Sequence, residues 1–178
     1  MSTTAPGTSV AITTVPTVPS STAATSPTTA GAAQCLSKGL TATFTIIPGS
    51  AGAGHVEGRI VLVNVGTNPC RTGGYVGVQL LGASDTPLPT KVVRDTGTPV
   101  TTIVVPAGGA ASALVRFSPD VPGPGDNPGP SCQPVASGSE ITPPNDTSFV
   151  IAHGPQSSVC EQGTLEVRAL QAGGNAGA

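Results

Sequence analysis

HVEGRIVLVNVGTNPC, residues 55–70, decides the fold. Ile60 and Leu62 interleave with Val61, Val63 and Val65, leaving almost no polar face near the end of the run, as in a central strand covered on both sides. Asn64 and Gly66 close it. Upstream, Leu40, Ala42, Phe44 and Ile46 recur at period two, so 40–47 reads as a strand with one buried face, joined to the first by a flexible turn over 48–54. Further strands read at 75–81, 88–93, 101–105, 110–117, 139–142, 147–152 and 165–170, separated by Gly/Pro/Asn/Asp turns. No segment holds a helical period. Seven to nine short strands without βαβ spacing predict an all-β fold, an antiparallel immunoglobulin-like β-sandwich of two sheets.

Composition points the same way. The 178 residues include 24 glycines and 19 prolines, about a quarter of the chain, but no Trp, one Tyr and three Phe. Seven Lys and Arg against nine Asp and Glu give a net charge of −2, which lacks the basic footprint that nucleic acid or an anionic membrane surface requires. With so few aromatics, the core must come from Val, Ile, Leu and Ala.

Residues 1–34 contain no charged or aromatic side chain, and Pro6, Pro16, Pro19 and Pro27 interrupt every β-branched run. Such a Ser/Thr/Ala/Pro segment cannot bury enough apolar surface to offset roughly 1–2 kcal/mol of backbone entropy per residue, so it reads as a disordered tether. Its composition is also that of O-glycosylated linkers. The folded domain is expected over 35–171, with a frayed C-terminus over 172–178. The start lacks the basic and apolar regions of a signal peptide, and no run of 18 apolar residues marks a membrane span. Four cysteines in so small an aromatic-poor domain nevertheless suit an exported fold, so the natural signal peptide is read as removed, with Met1 in its place.

Cys35, Cys70, Cys132 and Cys160 allow three pairings, which spacing alone does not separate. Position favours Cys35 with Cys70, because they flank the first two strands, and Cys132 with Cys160, which flank a later hairpin. Each such bridge is worth on the order of 3–4 kcal/mol in the chain-entropy model.

The order of pieces also resembles a known family. Cys35, a strand, AGAGH at 51–55, LVNVGTNPC at 62–70, GYVGVQL from Gly74, PAGGAASALVRF from Pro106, a third Cys followed by Pro143 and Pro144, and VCEQGTLEV at 159–167 together resemble the domain-of-unknown-function 4232 family of exported, often lipid-anchored actinobacterial proteins. The Asn64-x-Gly66 turn with Cys70, Gly74 and Tyr75 is the most specific part. Val76 stands where the family usually has Pro, and Phe117 where it usually has Trp. The resemblance implies a secreted or cell-surface β-sandwich behind a tether, lipoprotein-like in its natural precursor, and it carries no catalytic residue across.

Constellations for chemistry are sparse. Only His55 and His153 suit general-base work near neutral pH, both in Gly-rich turns, and no G-x-S-x-G elbow accompanies them. No catalytic residue, metal or cofactor is assigned, since no C-x-x-C occurs and Asp120, Asp126 and Asp146 sit in Pro/Gly loops without a D-x-D alternation. The loop over 118–131 suits recognition or disorder, and disorder is the stronger reading. Arg71, following Cys70 beside Gly73, Gly74 and Tyr75, forms with that tyrosine a candidate ligand-binding pair for a carbohydrate or acidic partner; the alternative is a solvated Arg and a packed Tyr. Arg94 and Arg116 are the other arginines weighed. The expected function is therefore a monomeric, non-catalytic binding module for a cell-envelope protein or glycan. Its rivals are an envelope hydrolase pairing Ser with His55 or His153, and a purely structural surface module. Peptide mapping of the unreduced protein should recover Cys35 linked to Cys70 and Cys132 linked to Cys160; a Cys70–Cys132 peptide would overturn the pairing.

Overall fold

Each β-favouring run carries one apolar stripe to bury and meets turn residues at both ends, which is why it settles as a short strand. The computed structural model describes residues 1–3, 31–129 and 131–175. Among them are β1 (Ala33–Gln34), β2 (Leu40–Ile46), β3 (Val56–Asn64), β4 (Cys70–Thr72), β5 (Gly77–Leu81), β6 (Lys91–Asp95), β7 (Ile103–Val105), β8 (Ala110–Phe117), β9 (Ala136–Thr142), β10 (Val150–Ser157), β11 (Thr164–Arg168) and β12 (Gln171–Ala172). Nine fall on the runs that alternation marks. The additional β1, β4 and β12 are two or three residues long, too short to show a period.

The strands form three sheets rather than two. The largest runs β2-β3-β8-β11-β6, with β12 pairing β8; the others run β10-β9-β5 and β1-β4-β7. They pack as a sandwich. Phe44, Ile60, Phe117 and Leu165 of the large sheet bury their side chains in one core with Leu80, Ile141 and Ala152 of the second. Phe44 meets Phe117 edge-on, with ring centroids 6.2 Å apart, a geometry that adds about 0.5–1.5 kcal/mol to burial. Phe117 is therefore a core residue, and so is buried Val76.

Several expectations need correction. The sheets are not wholly antiparallel, because β11 pairs β6 and β1 pairs β4 in parallel. Both pairs are far apart in sequence, and such long crossovers permit parallel entry. β3 is central in its sheet, hydrogen-bonded to β2 and β8, yet only one face is covered. Val61 and Val63 are half-buried on the other face, beside exposed Thr41 and Thr43 of β2. Hydrogen bonding on two edges does not bring a second layer.

Strand pairing reaches the residues at both ends of the domain. Gln34 pairs with Arg71, while residues 4–30 of the expected tether lie outside the described residues. At the other end Ala172 pairs with Ala111 and the Gly173 N–H donates to Ala110, so order continues past Gln171; residues 176–178 lie outside the described residues. The loop after β8 is pinned. Burial pushes the Asp126 carboxyl up, but N–H donation from Gly123, Gln162 and Glu161 and the Gln133 side-chain amide outweighs it, and the net shift is downward. One carboxylate thus ties the loop to the turn that follows Cys160.

Asn64, 3% exposed at the end of β3, holds the next two turns together. Its Oδ1 accepts the Gly66 N–H at 3.0 Å. Its Nδ2 donates to the carbonyls of Asn68, Val105 and Pro106 at 2.9, 3.1 and 3.2 Å, so two hydrogens serve three acceptors. The backbone joins in, with Asn64 N–H donating to Gly109 and the Gly108 N–H donating to Asn64. Asn64→Asp keeps the shape but loses every side-chain donor in a buried site, and should cost about 3 kcal/mol in denaturant unfolding. A loss below about 1 kcal/mol would show that the network is dispensable.

Candidate functional site

Arg71 and Gln34 are set by the Cys35–Cys70 disulfide, which clamps β1 to β4. Their Cα positions are partners in the ladder, so the two side chains stand side by side on one face. The Cys35 N–H donates to the Arg71 carbonyl at 2.9 Å, completing the clamp. Two residues on, the backbone runs against 101–102 so tightly that a Cβ at Gly73 would sit 2.3 Å from the Thr101 carbonyl oxygen. Only glycine permits that approach. Gly74 follows at φ +103°, in the left-handed region, and its carbonyl accepts the Leu170 N–H at 2.8 Å.

That bend delivers Tyr75, half-buried, to the edge of β6. There the Arg94 guanidinium lies over the phenol ring, Cζ 5.3 Å from its centroid, in cation–π range. Two adjoining depressions open around these side chains. One, of about 260 Å³, is lined by Gln34, Arg71, Thr72 and Thr102; the other, of about 290 Å³, by Gly74, Tyr75, Arg94 and Pro144. Gly73, Val100 and Asn145 border both, which makes them one groove between the β1-β4-β7 sheet and β6 of the large sheet.

Among the described residues no carboxylate lines the groove. Arg116 pairs with Glu166 at 3.3 Å and Arg168 with Asp95 at 2.8 Å, elsewhere on the surface. Asp95 adjoins Arg94 in sequence, yet the Arg168 hydrogen bond and then the Gly97 N–H hold its pKa down and occupy it. Arg71 and Arg94 have no ion pair among the described residues. At the rim, Asp146 is likewise committed to backbone. It accepts from Ser37 at 2.7 Å, Thr147 at 2.7 Å and Ser148 at 3.1 Å, with the Ser37 contact the largest cause of a pKa lowered to about 2.

The groove thus unites Arg71 and Tyr75 with Arg94, and leaves Arg116 outside. His55 contacts the Ala53 carbonyl through Nδ1 at 3.0 Å, and His153 is exposed on β10. No hydrogen bond joins either ring to a serine or carboxylate side chain among the described residues. Cys132 is joined to Cys160. Asp126 lies with these two sulfurs inside 4.8 Å, but disulfide sulfurs do not ligate a metal as thiolates do, and the carboxylate is taken by N–H groups. Sequence reasoning missed Gln34, Val100 and Asn145 as groove residues and did not pair Arg94 with Tyr75. Asn145-Asp146-Thr147 after Pro-Pro is a readable turn signal; the Arg94–Tyr75 contact joins β6 to the link between β4 and β5 and leaves no local trace.

These features define a class, a disulfide-stapled β-sandwich with a cationic groove at the junction of its sheets. The chain matches the family described as Domain of unknown function (DUF4232) over residues 35–171 and belongs to it. No curated protein and no solved structure matches the chain. Two disulfides are consistent with an extracytoplasmic setting, and among the described residues no helix is long and apolar enough to cross a membrane.

The Asp146 contact carries a pH dependence. Its folded pKa lies below the unfolded value of 3.8, so its stabilisation is present above about pH 4 and is lost as pH falls toward 2. The melting-temperature gap between the native protein and Asp146→Asn should therefore be constant at neutral pH and close between about pH 4 and 2. A gap unchanged at pH 2 would exclude the carboxylate as its source.

Proposed function

We propose that the domain is a non-catalytic, extracytoplasmic binding module of the cell envelope that holds an anionic partner in the groove of Arg71, Tyr75 and Arg94. One observation carries this reading: the two arginines with no ion pair among the described residues border the same groove, and no carboxylate lines it. A guanidinium with an open fork is suited to bidentate contact with carboxylate or phosphate. The two disulfides and the Ser/Thr/Pro-rich N-terminal composition support placement outside the cytoplasm, at the end of a tether. Against the hydrolase reading stands that, among the described residues, no carboxylate is hydrogen-bonded to His55 or His153, as a serine triad needs.

Backbone-amide chemical-shift mapping against a panel of neutral glycans, acidic glycans and acidic peptides should move the signals of 71–75, 94 and 145. The Arg71→Ala/Arg94→Ala double variant, folded and with both disulfides intact, should lose that response. Shifts confined to other surfaces, or retained in the double variant, would remove the groove from consideration.

A further inference from the structure

We infer that the groove's ligand is an acidic saccharide, a sugar bearing a carboxylate or phosphate; this rests on the binding reading above. The lining has three kinds of group, and together they select this chemistry. Arg71 and Arg94 supply positive charge with no anionic partner among the described residues. Gln34, Thr102 and Asn145 supply neutral amides and a hydroxyl, the donors and acceptors that sugar hydroxyls match. Tyr75 and exposed Val100 supply apolar surface for the C–H face of a pyranose. A purely anionic ligand would leave the neutral groups unused. A neutral sugar would leave two guanidiniums unmatched.

The shape separates a saccharide from an acidic peptide. Extended peptides usually bind by adding a strand to a free sheet edge, with pockets for alternate side chains. Here the floor is the glycine bend of 73–74 pressed on 101–102, which lies outside the strands, and the edge strands β1 and β6 each lend the walls a single side chain, Gln34 and Arg94. The polar groups are also held in place beforehand. Gln34 Nε2 donates to the Pro144 carbonyl at 3.0 Å, Arg94 rests on the Tyr75 ring, and the turn bearing Asn145 is fixed through Asp146. Fixed short-range donors suit a rigid ring better than a flexible chain, because less ordering is needed at binding.

The test titrates four probes into the full chain at low salt and follows backbone amides: trigalacturonate, mannose 6-phosphate, maltotriose and triglutamate. Trigalacturonate or mannose 6-phosphate should shift 71–75, 94 and 145, and the tighter of the two identifies the anionic group. Arg94→Ala should weaken that binding by roughly tenfold or more, with Arg94→Lys intermediate because it keeps charge but loses the planar fork. Raising salt should weaken it further. Maltotriose binding as tightly in the groove would overturn the requirement for charge, and triglutamate binding as tightly would overturn the saccharide; either would leave the groove itself standing. If no saccharide moves the groove amides, the inference fails. If probes bind elsewhere and both arginine variants leave that binding unchanged, the groove reading fails with it.

Discussion

The side-chain amide of Asn64 is the contact on which the groove end of the sandwich depends. It stands where β3 stops, and it must satisfy backbone groups from two turns, at 66–68 and 105–106, that are distant in sequence. The Gly66 N–H and Asn68 carbonyl belong to the turn leading into Cys70; the Val105 and Pro106 carbonyls belong to the link from β7 into β8. Those turns place β4 beside β7, and β4 carries Arg71. An Asp cannot donate, and a Leu can neither donate nor accept, so only an amide fits a buried site offering three acceptors and one donor. The Asn64-x-Gly66 turn is thus a structural knot, one step removed from the groove it positions.

Charge is used in this molecule mainly to hold backbone. Asp126 and Asp146 each accept several N–H groups and close a loop that has no strand pairing of its own. A chain with four aromatics has few large side chains with which to pin loops, and carboxylate caps with disulfides take over that task. Each carboxylate lies close to a bridge: Asp126 beside Cys132–Cys160, and Asp146 against Ser37, two residues from Cys35. The bridge limits the unfolded chain, and the carboxylate sets the local conformation of the folded one. These two acids are thereby committed to backbone groups, and neither pairs with Arg71 or Arg94.

What was legible followed the range of the interaction. Alternation in β2, β3 and β8 is a local signal, and it placed those strands within a residue or two. The covered inner face of β3 was readable from Ile60 and Leu62; the open outer face was not, because Val61 and Val63 look equally apolar in sequence. Parallel pairing of β6 with β11 depends on a crossover of some seventy residues, which no window reads. The site divides the same way. Arg71 and Tyr75 stand four residues apart after a cysteine and were legible as a pair, whereas Arg94, Val100 and Asn145 arrive from other sheets and turns. The prolines of the 118–131 loop point to disorder, whereas the stretch around Asp126 is held because that aspartate meets backbone donors from a distant turn.

The groove's rigidity bears on the kind of recognition it can perform. Its floor cannot shift without pulling Gly73 from 101–102, and its walls are tied by the Cys35–Cys70 bridge, the Gly74–Leu170 hydrogen bond and the Arg94–Tyr75 stack. A rigid, shallow site pays little ordering entropy on binding but also buries little of its ligand. Its two guanidiniums face solvent, where salt screens them, so each contributes less than it would in an enclosed pocket. Selectivity must then come from matching several fixed groups at once rather than from one deep anchor. That requirement favours a ligand presenting charge, hydroxyls and an apolar face at fixed spacing, and it disfavours a lone anion, which would meet only the arginines.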